Sequence, residues 1–172
     1  SFQALADFQG TWRRFEIFSL EKPSSYTLVS DYGHHPTEVK VTVEAAREKW
    51  PKKKIWLVFQ PHQYQRTYYF YRDFISILSR LPVDKLILAD IYDVAGREET
   101  EIKQKISSQL LVKEVIRKKG REFSSTILYI PTAQEIEAHL QQTLKGKEVV
   151  MVMGAGDIYN LTLALTKGKS TV

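Results

Sequence analysis

Cysteine is absent from all 172 residues. That excludes a disulfide framework and a thiolate nucleophile, and leaves the redox compartment undetermined by this residue. No apolar run approaches the ~20 residues that a membrane-spanning helix needs, so no membrane partner is expected. A glycine-rich phosphate loop is missing too. Gly168-Lys169-Ser170 imitates the end of one, but Leu163 stands where its first glycine belongs and the chain ends too soon for a helix to follow. Gly154-Ala155-Gly156 falls short of a dinucleotide fingerprint, because Tyr159 occupies the third glycine position and no ribose-binding acid follows about 20 residues on. No internal repeat, low-complexity tract or long Pro/Gly/Ser linker divides the chain, so one domain is expected.

What is present is an ordinary globular composition. With 43% hydrophobic and 26% charged residues, the chain can bury a core without metal or disulfide staples. The net charge of +5 raises the question of nucleic acid. The basic clusters Lys52-Lys53-Lys54 and Arg117-Lys118-Lys119 both fall where a helix gives way to a strand. There cations cap the helix dipole and stay solvated, so no nucleic-acid partner is expected.

Residues 12–19 and 26–30 read as strands around a turn at Glu21-Lys22-Pro23-Ser24-Ser25. Val39, Val43, Ala46 and Trp50 recur at helical spacing and predict a helix over 36–50. The run Ile55-Trp56-Leu57-Val58-Phe59 has the near-continuous apolar pattern of a strand covered on both faces. Phe70, Phe74, Ile77, Leu78 and Leu81 predict a second helix and 85–89 a strand. Leu110, Leu111, Val115 and Ile116 predict a third helix after a polar loop around 93–101. A strand over 126–130 is followed by a helix lined by Ile136, Leu140 and Leu144, with His139 partly buried on it. The strand 149–153 breaks at Gly154 into a short helix over about 158–165. This alternation predicts an α/β fold: a Rossmann-like, doubly wound, mostly parallel sheet of about six strands with helices on both faces. Ligands of such sheets bind beyond the carboxyl ends of the strands.

At one such end stands Ser30-Asp31-Tyr32-Gly33-His34-His35-Pro36-Thr37-Glu38. A carboxylate, a phenol, two imidazoles and a glycine share a single turn there, although Gly, Ser, Asn or Asp alone would serve a plain connection. The turn therefore reads as a site. Pro36 suits the first helical position, and the N–H groups of the turn begun by Thr37 and Glu38 are expected to favour an anion. His62 and Arg66, after the next strand, emerge at the same edge. Asp90, Asp93 and Gly96 line the following loop. Arg97 in that loop is expected to converge with Arg66 on one anion-sized space near His62.

The same turn resembles the opening signature of the C-terminal domain of the Mur ligases. Gly33 and the pair His34-His35 resemble most closely the alanine-adding branch. Phe8 to Glu16, Phe59 to Thr67 and Gly154 to Ile158 agree with it in order and approximate spacing, so the resemblance covers nearly the whole chain. It implies that residues 1–172 form an amino-acid-binding C-terminal domain, with the N-terminal UDP-binding and central ATPase domains absent from this chain. It implies an ATP-dependent ligase of bacterial cytoplasm and peptidoglycan synthesis that joins L-alanine to the carboxylate of UDP-N-acetylmuramate through an acyl phosphate. ATP and Mg²⁺ then belong to the full-length enzyme and not to this domain alone.

For individual residues the resemblance implies that Arg14 reaches the terminal phosphates of ATP and Asp31 the nucleotide ribose. Tyr32 and His34 line the amino-acid and acyl-phosphate pocket, with His34 and Arg66 catalytic. His62 and Arg66 grip the amino-acid carboxylate, and no metal ligand is implied. Two positions depart from the pattern. Ser30 stands where relatives commonly carry an aspartate, and Gln63 replaces the first of two arginines, losing a charge-assisted fork. A recycling ligase that attaches a preformed peptide to the same sugar is the alternative within the class. A non-catalytic module binding small anions or nucleic acid is the alternative outside it.

Overall fold

The computed structural model describes residues 13–22, 24–94 and 100–167. Glu16–Leu20 (β1) and Tyr26–Asp31 (β2) pair antiparallel, with Glu16 opposite Ser30 and Leu20 opposite Tyr26. The four strands that follow, Ile55–Phe59 (β3), Lys85–Leu88 (β4), Ile127–Tyr129 (β5) and Val149–Met153 (β6), all run parallel to β2 in the order β1-β2-β6-β3-β4-β5. The last strand thus returns to the centre, between β2 and β3. The predicted mostly parallel, six-stranded α/β fold is what the chain adopts.

Period-two alternation sends neighbouring side chains to opposite faces, and both faces are covered. Ile55, Leu57 and Phe59 of β3 with Val149, Met151 and Met153 of β6 meet the apolar stripes of Pro36–Lys49 (α1), Tyr71–Leu78 (α3) and Ser108–Lys119 (α5). On the other face, Trp56, Val58, Val150 and Val152 meet Ile136 and Leu140 of Ala133–Thr143 (α6) and Leu161 of Tyr159–Leu165 (α7). Each fully buried aliphatic side chain contributes about 1.5–3 kcal/mol relative to exposure, which makes β3 and β6 the axis of the core.

Four local expectations are corrected. The first strand begins at Glu16, since Arg13 and Phe15 take positive φ values of 56° and 49° that are incompatible with strand pairing; Trp12 lies outside the described residues. The second helix is two, Tyr64–Tyr69 (α2) and α3, broken at Phe70, and it ends at Leu78, leaving Leu81 buried beyond the Ser79 cap. The polar loop is followed by an extra helix, Thr100–Lys105 (α4), whose Ile102 clusters with Ile91 and Ile106 against Tyr64 and Tyr71. Its single apolar turn was too short to register as a periodic pattern. The helix expected over 36–50 runs to Lys49, with Trp50 as its cap.

Candidate active site

Because β2, β3, β4, β5 and β6 are parallel, their carboxyl ends form one edge, and there lie Asp31, Tyr32, His34, His62, Arg66, Asp90 and Asp93, while Arg14 comes from the chain before β1. Asp31 is the last residue of β2. Its buried carboxylate accepts the Gly33 N–H at 2.7 Å and the Phe15 N–H at 2.8 Å, locking the turn after β2 to the chain before β1. Gly33 fits because a Cβ there would stand 2.8 Å from Asp31 Oδ1 and 3.3 Å from Glu38 Cβ. The tight turn brings the Tyr32 carbonyl 3.1 Å from His34 Nδ1. A carbonyl only accepts, so Nδ1 carries the hydrogen, and in the neutral ring Nε2 holds the lone pair.

The start of α1 is closed from within. Glu38 Oε2 accepts the backbone N–H of both His34 and His35 at 2.9 Å, and His35 Nδ1 accepts the Thr37 N–H at 3.3 Å. The expected anion at this helix start is therefore the protein's own carboxylate, and His35 is its cap, with its ring edge-on to Phe70. Partial burial acts to raise the Glu38 carboxyl, but the N–H groups of His35 and His34 outweigh it and hold it below its ordinary value.

His34, His62, Tyr32 and Tyr92 make a continuous ring cluster. Tyr32 meets His34 edge-on at 5.5 Å between centroids, His34 lies 5.2 Å from His62, and His62 stacks on Tyr92 at 5.4 Å and 24°. Burial lowers His34, although its bond to Tyr32 opposes the shift and the charge of Arg66 adds to it. His62 is pushed down to about 4 by burial first, then by His34 and Arg66. Both imidazoles are neutral near pH 7, with the Arg66 guanidinium as the cation beside them. Arg66 sits on α2, whose entry residue Gln63 is held at φ 67° by its N–H bond to the Tyr92 carbonyl. Arg97 and Gly96 lie outside the described residues.

The two arginines differ sharply. Arg13 is buried, donates from Nη2 to the Gly154 carbonyl at 2.6 Å, and lies over the rings of Tyr32 and Tyr159 at 4.9 and 4.5 Å. It ties the chain before β1 to the end of β6. Arg14 is exposed, its guanidinium 5.7 Å from the same Tyr32 ring. Ser30 is buried beneath α7, where its Oγ accepts from Thr162 Oγ1 at 3.4 Å. It faces the core, away from the site edge.

Beside the ring cluster lies a cleft of about 420 Å³, walled by Gln60, Asp90, Tyr92, Asp93, Thr132 and Asp157 among others. Gln60 links two walls: its Nε2 donates to Asp157 Oδ1 at 2.7 Å and its Oε1 accepts the Ile158 N–H at 3.1 Å. Asp90 Oδ1 accepts the Tyr129 hydroxyl at 2.6 Å, which raises that phenol to about 12, and Asp93 is paired with Lys103. Sequence reading passed over Tyr92 and Gln60, and gave Arg13 and Glu38 no part inside the turn. Tyr92 carried the one readable signal, an aromatic between two loop positions just after a buried parallel strand.

A mostly parallel α/β sheet with histidines, tyrosines and arginines gathered at its carboxyl edge defines a domain of the doubly wound class, whose ligands bind at that edge. A family model described as Mur ligase, glutamate ligase domain, matches residues 13–156. The chain belongs to that Mur ligase C-terminal domain family. Among solved structures, the UDP-N-acetylmuramate-alanine ligase of Thermotoga maritima superposes with a TM-score of 0.64 at 22% identity, over 95% of this chain and 31% of that one. A murein peptide ligase of Psychrobacter arcticus gives 0.58 at 19% identity, over 98% and 33%. A bifunctional folylpolyglutamate synthase/dihydrofolate synthase of Yersinia pestis complexed with AMPPNP and Mn ion gives 0.55 at 14%, over 91% and 32%. The chain spans about a third of the length of each of these proteins.

Proposed function

We propose that this chain is the C-terminal domain of an ATP-dependent ligase that joins L-alanine to the carboxylate of UDP-N-acetylmuramate. The observation that supports this reading is the ring cluster: two neutral imidazoles and two phenols, with the Arg66 guanidinium acting on both imidazoles, form a partly desolvated, cationic surface. Such a surface suits a carboxylate, which a guanidinium fork accepts in bidentate fashion. In this reading Arg66 and His62 hold the alanine carboxylate. The lone pair on His34 Nε2 orients the amine as it attacks the acyl phosphate formed with ATP, and Tyr32 bounds the pocket. The amide bond forms as the phosphate leaves.

Arg14 reaches from the exposed side of Tyr32 toward ATP held by an upstream ATPase domain. Asp31 fixes the turn that carries it, and a direct bond to the nucleotide ribose uses one of the carboxylate lone pairs that the two backbone N–H groups leave over. Among the described residues no three His, Asp or Glu side chains converge as a metal-ligand set. The reading assigns Mg²⁺ to the ATPase domain, beside the ATP phosphates.

A peptide acceptor is the second reading, favoured by Gln63 in place of a cation and by the 420 Å³ cleft, which falls in the size range of sites for ligands larger than one alanine. The test is ADP release by the full-length protein with UDP-N-acetylmuramate and either L-alanine or a tripeptide. Turnover with alanine supports the first reading and turnover with the tripeptide alone the second. Turnover with neither refutes both.

A further inference from the structure

Among the described residues, no hydrogen bond orients the His62 ring. Its Nδ1 is buried and has no partner among the described residues. An active-site imidazole is ordinarily aimed by a carbonyl or carboxylate on one nitrogen, as Tyr32 does for His34. For His62 that means is missing, and what contacts its ring instead is Tyr92, stacked at 5.4 Å and 24°, with His34 at 5.2 Å on another side.

Tyr92 is itself held on three sides. Its N–H donates to the Pro61 carbonyl and its carbonyl accepts the Gln63 N–H, both at 2.9 Å, so an isolated parallel bridge between His62 and Tyr92 joins the loops after β3 and β4 beyond the strand ends. Gly156, in the turn after β6, closes against the root of the ring. A Cβ there would lie 2.4 Å from Tyr92 Cγ, 2.7 Å from Tyr92 Cβ and 2.5 Å from Gln60 Oε1. The remaining surface of Tyr92 walls the cleft.

We infer that Tyr92 is a positioning residue of the acceptor site, whose ring, and not its hydroxyl, holds the His62 imidazole beside His34 and Arg66. The groups acting electrostatically on His62 are His34, from the turn after β2, and Arg66, from α2; the stacked Tyr92 ring covers the imidazole from the loop after β4. The effect on His62 stands independently of the ligase reading, while the effect on turnover rests on it.

The test uses Tyr92→Phe, Tyr92→Leu and Gly156→Ala, the last displacing the ring without changing it. Imidazole NMR titration of this 172-residue chain is expected to leave His62 near 4 in the wild type and in Tyr92→Phe. In Tyr92→Leu and Gly156→Ala it should move up toward the ordinary histidine value of about 6.5. In the full-length protein Tyr92→Leu should raise the acceptor KM about tenfold or more, with the KM for ATP within about twofold, and Tyr92→Phe should restore it. A His62 titration unmoved by both Tyr92→Leu and Gly156→Ala overturns the inference. Tyr92→Phe behaving like Tyr92→Leu overturns it too, because the hydroxyl would then be the holding group. If the parent full-length protein shows no ligase turnover, the ligase reading fails and the titration still decides the role of Tyr92.

Discussion

Arg66 is the cation that acts on both imidazoles of the ring cluster, whereas Arg13 and Arg14 lie against the Tyr32 ring. In the full-length protein Arg66→Ala should raise the acceptor KM by the equivalent of about 1.5–3 kcal/mol, with ATP and sugar affinities nearly intact. Steady-state kinetics with each substrate varied in turn checks this, and equal losses for all three would indicate misfolding. His62 makes a pH prediction at the same scale. Its folded value of about 4 lies below the ordinary value near 6.5, so between those limits the unfolded chain binds more protons. The contribution is fully present above pH 6.5 and is lost as pH falls toward 4. Urea unfolding across that window should show His62→Gln less pH-sensitive than the parent. Little of this was legible in residue types: His34, His62 and Arg66 were visible as candidates, but their charge states depend on how deeply three separate loops bury them.

At the scale of elements, the start of α1 depends on Glu38, whose one oxygen satisfies two backbone donors. Glu38→Ala should cost about 0.5–2 kcal/mol of stability, measured by denaturant unfolding, and Glu38→Gln less. The short link before β1 depends on Arg13. Arg13→Ala removes a charge-assisted bond to the Gly154 carbonyl and should cost about 1.5–3 kcal/mol, whereas the exposed Arg14→Ala should stay within about 0.5 kcal/mol. Equal effects would mean that the sequence pair Arg13-Arg14 acts as one solvated unit. The capped helix was readable from Pro36 and the stripe Val39, Val43, Ala46. That Glu38 would turn inward to occupy the predicted anion site was not, because side-chain direction at a helix start follows the entering turn.

For the whole molecule, the proposed acceptor surface stands in a sequence with no phosphate loop. The isolated 172-residue protein is expected to fold as a stable monomer and to neither hydrolyse ATP nor form an amide bond. A coupled ADP assay on the purified chain checks this, and turnover that disappears in Arg14→Ala would overturn the division of roles between domains.

The alternation of apolar runs with helical stripes determined the parallel sheet by itself, since strands buried on both faces need apolar residues at every position and helices to cover them. The same pattern placed Asp31, His34 and His62 at the carboxyl ends of strands, because each lies at or within three residues of the end of such a run. Only the tertiary structure decided the strand order, with β6 returning between β2 and β3, and thereby which loops meet. That meeting sets Gly156 against Tyr92, stacks Tyr92 on His62 and sends one arginine of an adjacent pair inward and the other out. Long-range juxtaposition arises from crossover packing, which leaves no periodic trace in the residues that end up touching.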